Sequence, residues 1–181
     1  MENKKYYKNY KNYSYLIEQD SFAENPDIYS DDLFLVYDHR DFCVERKEFY
    51  PPEINDYLNG DTDYDFSNFW IFPVYAYIHS GVSLSLSHNG DKWDTSMRGY
   101  VLVNKNIRED FTEELAKNYA DDLIKEWNMY LSGDVYDLRI YKFNICDHCG
   151  HEEETLIEFI TGIYGYDEVE QLAKEYIDNY E

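Results

Sequence analysis

The sequence predicts an α+β fold: an antiparallel β-sheet with two amphipathic helices packed on one face. Two observations support this class. Short apolar segments separated by turn residues occupy the first half of the chain and return near its end. Between and after them, the spacing of apolar residues twice changes from the two-residue period of a strand to the 3.6-residue period of a helix. Strands joined by tight turns form antiparallel sheets, and amphipathic helices bury their apolar stripe against such a sheet.

Several segments in the first half have the length and composition of β-strands. Leu33–Tyr37 reads LFLVY, and Phe42–Val44 follows it closely. The clearest hairpin joins Trp70–Ile78 to Val82–Ser87 through a glycine-containing turn. Pro73 lies inside the first of these two strands, and proline has no N–H to donate to a ladder. It therefore predicts an edge position or a bulge.

Three further strands are predicted at Gly99–Val103, Val135–Phe143 and Thr155–Ile160. Because proline clashes with the preceding turn of a helix and cannot donate a backbone hydrogen bond, Pro51 and Pro52 are expected to interrupt any regular element.

The long helix is predicted between Phe111 and Leu131, where apolar residues recur every three or four positions. Asp110 with Glu113 matches a capping box, and Gly133 is placed to end the helix.

The second helix is predicted near the end of the chain. Asp167 with Glu170 again matches a capping box, and an apolar stripe runs from Val169 to Tyr180. These two helices are the ones expected to cover the sheet.

Charge is distributed unevenly along the chain. The sequence has 38 acidic and 16 basic residues and a formal net charge of −22. Four of the basic residues, Lys4, Lys5, Lys8 and Lys11, lie at the start. We therefore predict a basic Lys/Tyr arm over residues 1–15, either extended or folded back on the acidic body, and a single acidic domain over residues 16–181.

The strong negative charge narrows the classes of partner. Phosphates of DNA, RNA or an anionic membrane would be repelled, so direct binding to them is disfavoured. The charge also exceeds the roughly 2–8 that a small domain needs for solubility. A basic protein surface is the favoured partner, and large basic surfaces belong mainly to nucleic-acid-binding proteins.

The cysteines indicate a reducing compartment. There are three, Cys43, Cys146 and Cys149, and an odd number does not form a complete set of disulfides. No run of about 18 apolar residues predicts a membrane helix. We expect a cytoplasmic protein.

The stretch from Cys146 to Gly150, CDHCG, has the spacing of a zinc knuckle. Two thiolates two residues apart can supply half of a tetrahedral zinc site. The distant candidates for the other half are His39 and Cys43. The alternative is a hairpin turn carrying two reduced thiols. The expectation is therefore either no cofactor or one structural zinc bound by Cys146 and Cys149.

No catalytic motif is present. The sequence contains no GxSxG, no P-loop and no HExxH. His79 and His88 flank the Val82–Ser87 strand, with Asp94 nearby, and are interpreted as turn residues of a hairpin. We do not expect an enzyme.

The acids expected to bind a partner form three clusters: a loop, the outer face of the long helix, and the segment after the CxxC. Their members are Asp61, Asp63 and Asp65; Glu113, Glu114, Asp121 and Asp122; and Glu152, Glu153 and Glu154. Glu114 and Asp121 are two turns apart and share a helix face. Charge reversal on that helix is expected to weaken binding more than reversal after the CxxC.

Several stretches, in order, resemble a family of small proteins encoded by bacteriophages and mobile elements of low-GC bacteria, mostly without assigned activity. The matching stretches are YLIEQD at 15–20, PVYAYIHSGVSLSL at 73–86, GYVLV at 99–103, MYLSGDVY at 129–136 and CDHCGHE at 146–152. The resemblance covers most of the chain after residue 15. It implies a phage or mobile-element origin and assigns no catalytic residue.

Charge, size and this resemblance together predict an anti-defence protein of the anti-CRISPR or antirestriction type. Its carboxylates would mimic nucleic acid and bind a Cas effector or a restriction enzyme. The alternative is a metal-stabilised phage accessory protein or enzyme of unknown activity.

Overall fold

The structure, a computed structural model, describes residues 5–61, 63–78, 81–88, 95–145 and 148–180. The chain divides into two compact units. The terminal unit comprises Met1–Glu24 and Ser132–Glu181, and the central unit comprises Asn25–Leu131. Each unit is described by itself.

The described residues form nine strands and three helices. In chain order they are β1 (Lys5–Tyr10), β2 (Tyr13–Gln19), β3 (Leu33–His39), β4 (Phe42–Val44), α1 (Pro51–Leu58), β5 (Phe69–Ile78), β6 (Val82–Ser85), β7 (Thr95–Asn104), α2 (Glu113–Ser132), β8 (Val135–Ile145), β9 (Glu152–Tyr164) and α3 (Tyr166–Asn179).

The central unit contains a five-stranded antiparallel sheet with the order β4-β3-β7-β5-β6. The predicted hairpin is present as β5 and β6. Pro73 pairs with Tyr100 of β7, whereas β6 pairs only with Tyr75–Ile78. The register shifts between Val74 and Tyr75. Proline is tolerated here because it lies beyond the β6 pairing and beside a bulge, as its chemistry predicted.

Both faces of the central sheet are buried. Side chains alternate along β3, so Leu35 packs with Trp127 of α2, whereas Phe34 packs with Ile54 of α1. These four side chains are at most 2% exposed. A strand covered on both faces reads as a continuous apolar run, which explains the LFLVY sequence.

Helix α1 corrects the expectation for the two prolines. Pro51 and Pro52 are its first two residues, and Ile54 donates its N–H to the Tyr50 carbonyl at 3.1 Å. The first N–H groups of a helix have no intrahelical partner, so proline costs nothing there and its fixed φ favours the helical start. The prolines therefore begin a helix.

Helix α2 lies where it was predicted, but its cap differs. Thr112 accepts a hydrogen bond on its hydroxyl from the Leu115 N–H at 3.3 Å, and on its carbonyl from Ala116 at 2.9 Å. Asp110 has a φ of 61° and precedes the cap. The capping box of Asp110 with Glu113 was wrong by two residues. Gly133, with a φ of 73°, follows the last helical residue as expected.

A buried carboxylate ties three segments of the central unit together. Asp27, which is 1% exposed, accepts hydrogen bonds from the Leu35 N–H at 2.6 Å and from the Trp127 indole at 3.2 Å. Arg46 forms an ion pair with it at 3.1 Å. A buried charge persists when it is paired and hydrogen-bonded in this way.

The terminal unit contains a four-stranded antiparallel sheet with the order β1-β2-β8-β9. One face packs against α3. The buried side chains of this core are Tyr13, Tyr15, Ile17, Tyr136, Leu138, Ile140, Val169, Ala173 and Ile177. The N-cap of α3 is Gly165, without a side-chain cap. Asp167 lies in the first turn, so the capping box of Asp167 with Glu170 was also wrong.

The opposite face of this sheet carries a mixture of aromatic, apolar and charged side chains. Tyr7, Leu156 and Phe159 are 54%, 49% and 46% exposed. Arg139 pairs with Glu18, and its guanidinium lies over the Phe159 ring, 4.5 Å from the centroid. Among the described residues of this unit, no helix packs on this face.

The predicted α+β class with antiparallel sheets is confirmed. The predicted helices are α2 and α3, but they pack on two different sheets, and α1 is additional. The described part of the predicted arm, from residue 5 onward, forms β1 and the start of β2. None of the described helices is both long and apolar enough to cross a membrane.

Candidate functional site

The lysines of the N-terminal segment make ion pairs within the terminal unit. Lys5 pairs with Glu18 on the neighbouring strand β2. Lys8 pairs with Glu170 of α3 at 2.6 Å, and this hydrogen bond raises the pKa of the Lys8 ammonium.

Lys11 continues the same pattern and pairs with Asp178 of α3 at 3.1 Å. Lys4 lies outside the described residues. From Lys5 onward, the basic segment is therefore folded back on acidic residues, which is one of the two predicted alternatives. Its lysines neutralise acids of the terminal unit.

The loop cluster is larger than the sequence suggested. Asp61, Asp63 and Asp65 are exposed, and the first and last accept backbone hydrogen bonds from Asp63 and Ser67 at 3.0 and 2.9 Å. These bonds within the loop fix the carboxylates on the surface. Those of the Ser67 hydroxyl and N–H lower the pKa of Asp65.

Helix α1 adds two acids to this loop. Glu53 is the main cause of a raised pKa at the Tyr64 hydroxyl, and Asp56, Asp61 and Asp63 add to the effect. All four carboxylates therefore act on the pKa of one tyrosine. We call Glu53, Asp56, Asp61, Asp63 and Asp65 the loop patch. The contribution of α1 was missed because the two prolines were read as interrupting structure rather than beginning a helix.

The predicted acidic row on α2 is interrupted by lysines. Glu113, Glu114 and Asp122 are exposed and Asp121 is half-buried. Lys117 lies one turn after the first pair of acids and one turn before Asp121. The alternation of sign makes this helix a weaker negative strip than its four acids alone predicted.

A second lysine completes this alternation. Lys125 pairs with Asp122 at 2.7 Å, and that hydrogen bond raises the pKa of the Lys125 ammonium.

The acids after the CxxC lie at the start of β9. Glu152, Glu153 and Glu154 are all exposed. The Glu154 carboxylate accepts hydrogen bonds from the Tyr7 hydroxyl and, at 3.0 Å, from the Ser14 hydroxyl. The bond to Glu154 raises the pKa of Tyr7.

The other two acids of this segment differ from Glu154. Glu152 and Glu153 form no ion pair among the described residues. This segment therefore carries three consecutive exposed carboxylates, whereas Asp122 of α2 is held in an ion pair.

Helix α3 carries a further acidic surface that the sequence reasoning did not select. Its outer residues include Asp167, Glu168 and Glu175, with Glu170 between Lys8 and Lys174. The two lysines lower the pKa of Glu170, Lys8 first. The helical spacing of these acids was visible in the sequence. The pairing of Glu170 with Lys8 on β1 depends on the tertiary fold and could not be predicted from it.

The predicted zinc site is only partly within the described residues. Cys146 lies outside them, and Cys149 is an exposed free thiol. Cys43 is also exposed and belongs to the central unit, where burial raises the pKa of its thiol. Among the described residues, no three histidine, cysteine or acidic side chains group in a way that could hold a metal. Zinc binding by Cys146 and Cys149 stays a prediction.

Two of the described histidines, His39 and His88, have local contacts. His39 accepts the Asp41 N–H on its Nδ1 at 3.2 Å in the β3–β4 turn. The His88 ring packs edge-on against Tyr75 at 5.6 Å between centroids. His79 and Asp94 lie outside the described residues. Neither described contact places a histidine beside a nucleophile.

Comparison of the chain with protein-family models, with curated proteins and with solved structures finds no match. The candidate surfaces are therefore defined by their own geometry: the start of β9 on the terminal unit and, on the central unit, the loop patch and, with interruptions, α2.

Proposed function

We propose that this protein is an anti-defence inhibitor of phage or mobile-element origin. It binds a basic, nucleic-acid-handling host protein, such as a Cas effector or a restriction enzyme, in the host cytoplasm. Its carboxylates occupy positions that nucleic-acid phosphates would take. It acts by binding and not as an enzyme.

The observation that supports this proposal is the uneven pairing of charge. Acids outnumber lysines and arginines by 38 to 16. Lys5, Lys8, Lys11, Lys125 and Arg139 are each held in an ion pair within their own unit. The excess carboxylates at the start of β9 and in the loop patch remain on the surface without a cation partner among the described residues.

Such a surface suits a groove that evolved to bind nucleic acid. A concentrated negative potential attracts a basic groove and accelerates association. Each unit also carries exposed aromatic rings: Tyr7 of the terminal unit is 54% exposed, and Tyr29 and Tyr50 of the central unit are 83% and 54% exposed. Aromatic side chains can fill sites where bases stack.

The test begins with the full chain as bait in a lysate of bacteria carrying restriction and CRISPR systems. Each captured protein is then purified and assayed on its own nucleic acid. We expect the chain to inhibit cleavage, to be displaced by duplex DNA, and to lose affinity at least about tenfold between 50 and 200 mM salt, as phosphate-mimicking contacts require.

Binding that is insensitive to salt, or that DNA does not displace, would overturn the mimic. The matched variants are the double charge reversals Glu152→Lys/Glu153→Lys on β9 and Glu113→Lys/Glu114→Lys on α2, which change the net charge equally. The β9 pair is expected to weaken binding more.

A further inference from the structure

The outer edge of β9 is the least protected sheet edge in the terminal unit. The sheet order ends at β9, and no strand pairs with its far side among the described residues. It is also the longest strand, with 13 residues. A strand at a sheet edge presents backbone N–H and C=O groups that can pair with another chain.

The two ends of β9 differ as docking sites. The register of its pairing with β8 shifts at two places on β9, Ile157 and Thr161–Gly162. At both places β9 has one residue more than β8. The Phe159 N–H donates a hydrogen bond to the Glu158 carboxylate at 3.1 Å, and Gly162 has a φ of 69°. Bulges of this kind make an edge unsuitable for pairing.

The first five residues of β9 have none of these devices. Glu152–Leu156 pair one-to-one with Tyr141–Ile145 without a register shift and include no proline or glycine. The edge is protected here by charge alone: Glu152 and Glu154 point to one face and Glu153 to the other. A charged edge excludes like-charged strands but accepts an oppositely charged one.

We infer that Glu152–Leu156 accepts an extended lysine- or arginine-containing segment of a partner protein as an added strand. Main-chain hydrogen bonds to the edge supply affinity, and Glu152 and Glu153 select basic side chains. Leu156 offers apolar contact at one end. This inference rests on the proposed function and names how the partner is bound.

A second copy of the chain fits this edge poorly. Two β9 edges brought together would place glutamates opposite glutamates, and two chains of charge −22 repel each other. The other edge strand, β1, carries Lys5 and Lys8, but Glu18 and Glu170 already bind them. A basic segment from another protein meets neither obstacle.

The test uses the full chain and a twelve-residue peptide of alternating lysine and threonine. The control peptide has the same sequence with N-methyl groups on alternate backbone nitrogens, which removes donors but keeps the charge. We expect the methylated peptide to bind at least about tenfold more weakly, because strand addition depends on main-chain hydrogen bonds. Amides of residues 152–156 should exchange more slowly when the unmodified peptide is bound.

The protein variants separate strand addition from general attraction. Glu152→Lys/Glu153→Lys should weaken peptide binding about tenfold, and Glu113→Lys/Glu114→Lys less than about threefold, because a helix offers no strand edge for main-chain pairing. Slow amide exchange in β2 and β8 checks that the β9 variant retains its sheet.

Equal affinity for both peptides, or no binding of either, would overturn strand addition while leaving salt-dependent inhibition of a captured partner intact. Dimers that form as salt rises, with residues 152–156 protected without peptide, would also overturn it, because the occupant would be a second copy. Failure of the proposed function would give a different result: the captured partner would bind the chain, but DNA would not displace it.

Discussion

The sheet of the central unit is buried on both faces, whereas the sheet of the terminal unit is buried on one. In the central unit, α2 covers one face and α1 with Phe66 covers the other. In the terminal unit, α3 covers one face and Tyr7, Arg139 and Phe159 lie on the other. The two-sided core therefore stabilises the central unit, whereas the terminal sheet leaves, among the described residues, one face and the β9 edge uncovered, where we propose that a partner binds.

The largest expected effect tests the two-sided core. Phe34→Ala and Leu35→Ala remove consecutive side chains of β3 that point to opposite faces. Both should cost about 3–5 kcal/mol in the free energy of unfolding, because each leaves a cavity in a buried cluster. Urea unfolding followed by hydrogen exchange in Leu33–His39 measures the loss. If either variant is nearly neutral, one face of this sheet is not a core.

The same experiment on β2 should give unequal results. Ile17 is fully buried under α3, and Ile17→Ala should cost about 2–4 kcal/mol. Its neighbour Leu16 is partly buried on the side without a helix, and Leu16→Ala should cost only about 1 kcal/mol because it loses less buried surface and leaves no enclosed cavity. Equal costs would mean that the second face is also packed, and the contrast between the units would fail.

A close approach of two strands gives the next effect. A Cβ on Gly99 would overlap the Tyr37 side chain and the Val36 carbonyl of the adjacent strand β3. Gly99→Ala should therefore cost about 1–3 kcal/mol through overpacking. Gly81→Ala is the matched control, since no atom of the described residues beyond its chain neighbours lies within 4 Å of its Cβ position. Thermal unfolding of both variants measures the difference.

A smaller effect concerns the ion pair between Lys8 and Glu170. The pKa of Glu170 lies below its ordinary value in the folded protein. The stabilisation is therefore complete above the carboxyl pKa of the unfolded chain, about 4.3, and is lost as pH falls through the lower folded value. Lys8→Met should cost about 1 kcal/mol at pH 7, because the pair is partly exposed. The cost should shrink toward pH 3.

The control for this pair is on the central unit. Lys125 and Asp122 are 67% and 69% exposed, and Lys125→Met should change stability at pH 7 much less than Lys8→Met does, because solvent screens an exposed pair. Urea unfolding at pH 7 and pH 3 compares the two variants. A pH-independent cost at Lys8 would mean that its aliphatic chain, and not its charge, supports α3.

The sequence predicted the strands and helices that bury a regular apolar pattern. LFLVY, GYVLV and the stripe of α2 lie where they were expected, because their hydrophobic period is set locally. It did not predict how strands are shared between two sheets. The pairing of β2 with β8 joins residues more than 115 positions apart, and no local pattern specifies such a partner.

The sequence predicted which acids would be exposed, but not which of them would be neutralised by nearby lysines. The loop acids and the β9 glutamates are exposed, as a solvated acidic surface requires. However, the effect of Lys117 and Lys125 on α2 was overlooked. The addition of Glu53 and Asp56 to the loop depended on Pro51 and Pro52 starting a helix. The capping prediction for α2 was also wrong, because Thr112 and not Asp110 accepts the hydrogen bond of an N-cap residue.

The smallest stability effect should belong to the residues with the largest proposed role. Glu152 and Glu153 are exposed and form no ion pair among the described residues, so Glu152→Lys/Glu153→Lys removes no such stabilising contact. It also reduces repulsion within a chain of charge −22. We expect a change of less than about 0.5 kcal/mol in the free energy of unfolding, with a slight gain at low salt. Urea unfolding at 20 and 300 mM salt measures it. A loss above 1 kcal/mol would mean that these glutamates stabilise their own sheet. A partner would then not be needed to explain why the chain carries them.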